Sequence, residues 1–283
     1  MTVKVVTDSS ADLPDELVKA LGITVIPLYV RFGDEVLRDR VDISEDEFYE
    51  RLQHDPVHPN TTQPTPQDFV DLYQEVAKGT DGIVSIHISS KLSGTCNSAL
   101  QAIETMDSPC PIEVIDSEIL SMALGLVVIA AATAAKAGES MDRVVAVAKQ
   151  TMPKIRLLAL LDTLEYLQKG GRIGKAKALL GSILNVKPIL TLKDGEVIPA
   201  GQVRTRAKGL DRLFEFVQST ANIQELTVVH STTPDEAQAL AERFGSLFDK
   251  EQIIMSRLGP VLGVHIGPAA LIVAVRESLI SPD

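Results

Sequence analysis

Residues 83–100, IVSIHISSKLSGTCNSAL, decide how the chain is read. Ile83, Val84, Ile86 and Ile88 form the apolar, β-branched run of a buried strand. Small hydroxyl residues and Gly94 follow, and then Ala99, Leu100 and Ile103 recur at the spacing of a helix face. Strand, polar turn and helix in that order make one step of an open α/β sheet. Ligands of such sheets sit outside the carboxyl ends of the strands. Free N–H groups and a partial positive charge at the start of the helix suit an anion there. The hydroxyls of Ser89, Ser90, Ser93 and Thr95 are the candidates to meet it.

Working outward, residues 3–7 form a first strand that ends in the polar turn Asp8, Ser9, Ser10. Pro14 opens a short helix that Gly22 stops, and residues 24–30 read as a second strand. The charged segment 31–42 reads as an extended excursion from the domain body. Ser44 with Glu47 makes a capping box for a helix over 45–53. The proline-punctuated run HDPVHPNTTQPTP, residues 54–66, is a long loop of the kind that carries function. A helix over 67–78 then precedes the opening stretch, and 112–115 is a further strand. Strands alternating with helices predict a doubly wound parallel sheet.

Beyond Lys154 the pattern changes. A strand over 155–161 and a short helix over 163–168 lead into the basic, glycine-rich turn KGGRIGKAK at 169–177. Residues 186–192 and 196–203 flank Asp194–Gly195, a strong hairpin signal. An antiparallel hairpin fits poorly in an all-parallel sheet. The reading is therefore α/β with two domains: residues 1–154 around the parallel sheet, and residues 155–283 as a second α/β domain with a mixed sheet. In the latter, helices over 207–218 and 234–248 alternate with strands over 226–230 and near Ile253 and Leu271.

Composition narrows the function. The chain has 283 residues, 45% hydrophobic but only 4% aromatic with no tryptophan, so its core is aliphatic. A net charge of −11 argues against nucleic acid as a partner. Cys96 and Cys110 have no companions at metal-ligand spacing and read as free thiols in a reducing cytoplasm. The N-terminus reads as a strand rather than a signal peptide. Residues 119–135 lack charge but lie at the short limit for a membrane span and are rich in alanine, so a buried helix is expected.

Four polar groups fall in loops: residues 7–10, residues 61–63, residues 89–95, and the run 259–268 around His265. Hydroxyls hold a carboxylate without a second ion to desolvate. Ser93 and His265 also suggest a nucleophile and base, the hydrolase alternative, although the G-x-S-x-G elbow and a third member are missing. No phosphate-binding loop or G-x-G-x-x-G follows the first strand, so no nucleotide site is expected. His54 and His58 flank Pro56 and make a poor metal pair. Lys169, Arg172, Lys175, Lys177, Lys187, Arg204, Arg206, Lys208 and Arg212 cluster in an otherwise acidic chain, either as a solvated face or as a docking patch for an acidic partner or phosphate.

Taken together these loops resemble the DegV family, the fatty-acid-binding subunits of bacterial fatty acid kinase. Residues 7–13, TDSSADL, resemble the family's opening motif, and Thr61–Thr62–Gln63–Pro64 resembles its T-S-Q-P loop with threonine at the serine position. Residues 89–95, SSKLSGT, match S-S-x-L-S-G-T, and Gly170–Gly171–Arg172–Ile173 and Val203–Arg204–Thr205–Arg206 match motifs of the second domain. His265–Ile266–Gly267–Pro268 matches H-x-G-P, with Ala269 where glycine is usual and Cys96 where an aromatic residue is common.

The resemblance implies a long-chain fatty acid enclosed in an apolar tunnel, which the helix over 119–135 is a candidate to line. It implies carboxylate contacts from Ser93, Gly94 and His265 and from Thr61 or Thr62. It implies that Arg172, Arg204 and Arg206 engage a separate ATP-dependent kinase. The acyl phosphate formed there feeds phospholipid synthesis through an acyl-phosphate acyltransferase. The chain is then a cytoplasmic carrier rather than a catalyst, with no cofactor beyond its bound acid. A lipid-sensing regulator is the remaining alternative.

Overall fold

The computed structural model describes residues 2–179 and 186–278; residue 1 and residues 279–283, at the outer limits of the two expected domains, and residues 180–185 lie outside the described residues. The first half contributes strands β1 (Val3–Asp8), β2 (Thr24–Ile26), β3 (Tyr29–Phe32), β4 (Glu35–Arg38), β5 (Asn60–Thr62), β6 (Gly82–His87) and β7 (Ile112–Asp116). The second half contributes β8 (Ile155–Leu160), β9 (Lys187–Lys193), β10 (Glu196–Val203), β11 (Ile223–His230), β12 (Ile253–Arg257) and β13 (Leu271–Glu277).

The strands form three sheets. The order β2-β1-β6-β7 is parallel throughout, as the alternation of strands and helices predicts. The order β10-β9-β8-β13-β11-β12 is mixed, with only β11 and β12 parallel. At the tip of β9–β10, Asp194 (φ 52°) and Gly195 (φ 78°) are both left-handed, the backbone of a type I′ turn.

The third sheet, β4-β3-β5, is antiparallel and departs from the expectation for residues 24–66. The single strand read over 24–30 is two strands in different sheets. Pro27 has no N–H to offer, and the N–H of Leu28 donates to Ser9 Oγ at 3.1 Å instead of to a neighbouring strand. The charged excursion is a hairpin turning at Gly33 (φ 62°), and the proline-rich loop contains β5.

Between the parallel and mixed sheets lies the apolar helix Ser121–Lys136, packed against β1 on one side and β8, β11 and β13 on the other. Residues 121–132 are all buried, which explains why its sequence shows no polar stripe. Among the described residues no helix is long and apolar enough to cross a membrane. The largest core cluster joins Val5, Leu126, Leu161 and Ala274, and so runs through both sheets. Lys154 is the last residue of a short turn, Met152–Lys154, directly before β8.

Strand β8 divides its side chains by alternation. Leu158 and Leu160 join Leu213 and Phe244 beneath the outer helices Arg206–Ser219 and Pro234–Phe244. Leu157 and Ala159 face inward, toward the space between the sheets.

Candidate functional site

A cavity opens between the carboxyl ends of the parallel strands and the inner face of the mixed sheet. Leu157, Ala159 and Leu161 from the β8 region, Leu190 and Leu192 from β9, and Ile272 from β13 make its apolar body. Ile88 and Leu120 close it from the side of the parallel sheet.

One end is polar. Thr61 and Thr62 come from β5, Ser93 from the turn after β6, and His265 from the helix Pro260–Ile266. β5 pairs with β3 at Thr61 opposite Val30, so the small third sheet holds the threonine in place. Thr61 Oγ1 and His265 Nε2 are 2.9 Å apart. Ser93 Oγ and Thr95 Oγ1 are 2.8 Å apart at the start of the helix Thr95–Thr105. With Thr95 donating, the Ser93 proton is free for a ligand. The amide of Gln63 lies over Gly94; a Cβ built on Gly94 would come within 2.5 Å of Gln63 Nε2.

His265 is neutral at ordinary pH. Burial pushes its pKa down to about 4, aided by the neighbouring charges of Arg172 and His58. Its Nδ1 is buried without a partner and faces Gly170, where a Cβ would lie 2.1 Å away. A proton on Nδ1 would be an unsatisfied buried donor, so we assign the proton to Nε2, where it donates to Thr61 Oγ1. The Thr61 hydroxyl then keeps its own proton to donate into the cavity. The polar end therefore offers hydrogen-bond donors from uncharged groups, the chemistry that suits a buried carboxylate.

Not every hydroxyl of the turn joins the site. Ser89 is buried and donates to Gly195 O at 2.8 Å, which ties the turn to the β9–β10 hairpin. Ser90 is exposed, and only its N–H is engaged, by Asp116 at 3.2 Å. Ser93 and His265 do not form a nucleophile–base pair: the histidine's Nε2 is taken by Thr61 and the serine by Thr95. Cys96 and Cys110 are buried, and burial pushes the Cys96 thiol up to about 12.

The basic residues separate into distinct groups. Lys169, Lys175, Lys187, Arg206 and Arg212 are paired with Glu165, Glu196, Asp162, Glu236 and Glu215. Arg206 grips Glu236 through both Nε and Nη2. Among the described residues Arg172, Lys177, Arg204 and Lys208 carry no ion pair. Arg172 borders the cavity itself, where Nε donates to Leu92 O at 3.2 Å and Nη1 to Gly170 O at 3.0 Å. It thereby bridges the serine turn and the glycine turn. Arg204 is exposed just past β10, about 20 Å along the strand from cavity-lining Val197.

Residues that periodicity did not single out are Gln63 and Gly170. Both stand inside motifs, but only the folded chain reveals that one covers Gly94 and the other backs His265. Ala269, at a position where the family motif carries glycine, has φ 55° and explains that preference. Its N–H donates to Thr232 Oγ1 at 2.9 Å, which anchors the strained residue.

Comparison with known proteins shows the family and the fold over nearly the whole chain. A family model described as "Uncharacterised protein, DegV family" matches residues 2–278. A DegV domain-containing protein of Streptomyces coelicolor is 40% identical, with 97% of this chain and 98% of that protein covered. A DegV family protein of Thermus thermophilus, described by its fatty acid binding, superposes with a TM-score of 0.90 at 33% identity, covering 98% of this chain and all (100%) of the other. DegV of Bacillus subtilis, described as a fatty acid binding protein, gives 0.89 at 33% identity and the same coverage, 98% and 100%. A stearic acid-binding protein of Eubacterium ventriosum gives 0.86 at 28%, covering 97% of this chain and 98% of the other.

Proposed function

The chain belongs to the DegV family, and from that premise we propose that it binds a long-chain fatty acid and presents it to a separate ATP-dependent fatty acid kinase. One observation carries the reading: an aliphatic cavity ends in a group of uncharged donors, Thr61, Thr62 and Ser93, with His265 behind Thr61. Gly94 gives the turn the close approach that lets Gln63 lie over it. Burying roughly 14 methylenes at ~0.8 kcal/mol each amounts to about 11 kcal/mol before ordering costs, so the acyl chain sets affinity. Hydrogen bonds to the carboxylate contribute about 1.5–3 kcal/mol each, offset by its desolvation, and set orientation.

In this reading the chain is a carrier in the cytoplasm and the phosphoryl group comes from ATP on the partner. Structural relatives described as fatty acid binding support the ligand; the resemblance of the arginine motifs supports the kinase. Arg172, which borders the cavity, and Arg204, which carries no ion pair among the described residues, are the docking candidates. Arg206 is committed to Glu236 and is the weaker one. In this reading the carboxylate lies next to Ser93, where a second, more open cleft lined by Ser90, Gly171 and Arg172 gives a phosphoryl donor access.

The test uses protein loaded with palmitic acid, the purified kinase and ATP, with hydroxylamine to trap acyl phosphate. Trapped acyl hydroxamate that requires all three components supports the reading. Turnover of a fatty ester by the chain alone, abolished in Ser93→Ala, would support the hydrolase instead.

A further inference from the structure

The motif at residues 7–13 has no side chain on the cavity, yet it touches each of the three segments that build the polar end. Asp8 Oδ2 accepts from the N–H of Ile88 and pairs with His87 Nδ1, both at 3.0 Å, and so fixes the strand end that feeds the Ser93 turn. Ser9 Oγ accepts from the N–H of Leu28 at 3.1 Å, directly before β3, the strand paired with Thr61. Asp12 Oδ1 accepts from the N–H of Gly259 at 2.9 Å, the N-cap residue of the helix that carries His265.

We infer that the turn Asp8–Asp12 is the hub that sets the spacing of Ser93, Thr61 and His265, and that Asp12 is the positioning residue for His265. This rests on the reading of the site as a carboxylate holder. The donors of Thr61 and Ser93 must converge within hydrogen-bond distance of one small group while His265 stays behind Thr61, a geometry that fails when any of the three drifts by about 1 Å. The helix Pro260–Ile266 has no side-chain cap, and Asp12 fixes its start by holding the N–H of its N-cap residue, Gly259. Asp12 is fully buried in the left-handed conformation, φ 52°, with both oxygens engaged. Oδ2 accepts from Ser121 Oγ at 2.6 Å at the start of the central helix, and Arg40 lies 3.3 Å from Oδ1. The backbone carbonyl of Asp12 accepts from Ser256 Oγ, in the strand leading to that helix. Arg40 apart, each partner lies on a segment entering or leaving the site, so the side chain links the central helix to the start of the His265 helix.

The test compares myristic acid with tetradecanol, ligands of one chain length with and without the carboxylate, by displacement of a fluorescent fatty acid. Asp12→Ala is expected to weaken the acid about tenfold and leave the alcohol within about twofold. In a His265→Ala background it is expected to have no further effect on the acid. Ser9→Ala, a milder change, is expected to give the same split through Thr61 and serves if Asp12→Ala does not fold. Wild type that prefers the acid while both variants lose acid and alcohol equally would overturn the hub alone. Wild type that binds alcohol as tightly as acid would overturn the reading of the site and the hub with it.

Discussion

Thr61 and His265 stand 204 positions apart and meet at 2.9 Å, Oγ1 to Nε2. The contact joins a three-residue strand near the start of the chain to a short helix near its end. It closes the polar end of the cavity and makes the threonine a donor rather than an acceptor toward a ligand. The site is therefore a property of the whole chain.

Replacing Thr61 with valine keeps the shape and removes the hydroxyl. His265 Nε2–H then loses its acceptor and the ligand loses a donor. Affinity for palmitic acid is expected to fall about tenfold by titration calorimetry, while Thr61→Ser keeps most of it. Equal affinities of the two variants would contradict the hydrogen-bond role.

Gly170 is required by its neighbour rather than by its backbone. A Cβ there would lie 2.1 Å from His265 Nδ1, so Gly170→Ala must displace the ring. The variant is expected to bind fatty acid as weakly as His265→Ala and to show a perturbed His265 resonance by NMR. Wild-type affinity with an unmoved ring would refute this placement.

Stability should carry an acid-side signature of His265. Burial holds its pKa at about 4 against 6.5, so between these values the unfolded chain takes up a proton that the folded one refuses. Its contribution is present above pH 6.5 and is lost as the pH falls toward 4. Asp12 and Asp39, raised by burial to about 6 and about 7 against the opposing pull of Arg40, act with the opposite sign. Their ionised forms cost stability at neutral pH, and protonation relieves that cost as the pH falls through 7 and 6. Urea midpoints of His265→Gln should therefore gain on those of wild type between pH 7 and 4. Parallel curves would show that the imidazole is not buried.

The acyl chain should dominate binding. Each methylene removed between myristic and decanoic acid is expected to weaken binding by up to about fourfold, from ~0.8 kcal/mol of lost burial. A flat chain-length series would place the ligand outside the aliphatic cavity.

Arg204 and Arg206 should separate. Arg204 is exposed without an ion pair among the described residues, so Arg204→Ala is expected to slow kinase-dependent acyl phosphate formation and leave acid affinity unchanged. Arg206→Ala breaks the pair with Glu236 and is expected to cost up to about 1 kcal/mol of stability in urea unfolding. Equal loss of acid binding and kinase reaction in Arg204→Ala would refute the separation.

Much of this was legible in the chain. The β-branched run before Ser89 marked a buried parallel strand, and Asp194–Gly195 marked the hairpin of a mixed sheet. The unbroken apolar run after Leu120 marked a helix with no face to solvent. The third sheet was not legible: β5 is three residues long, lies between prolines, and depends on pairing with β3 for its existence. Ser93 and His265 stood out by residue type, but their partners did not. Whether a serine in SSKLSGT faces a ligand or a carbonyl is settled by Gly195, 106 positions from Ser89. The basic cluster read as one patch although Glu165 and Glu215 neutralise Lys169 and Arg212 from within the same helices; the carboxylates that meet Lys175, Lys187 and Arg206 come from other elements and were not legible.

The most direct test is native mass spectrometry of the purified protein, before and after delipidation and incubation with palmitic acid. One long-chain fatty acid per chain, retained by wild type and lost more readily from a Thr61→Val, Ser93→Ala double variant, is the predicted result. Protein that carries no acid as purified and takes up none on incubation would contradict the account.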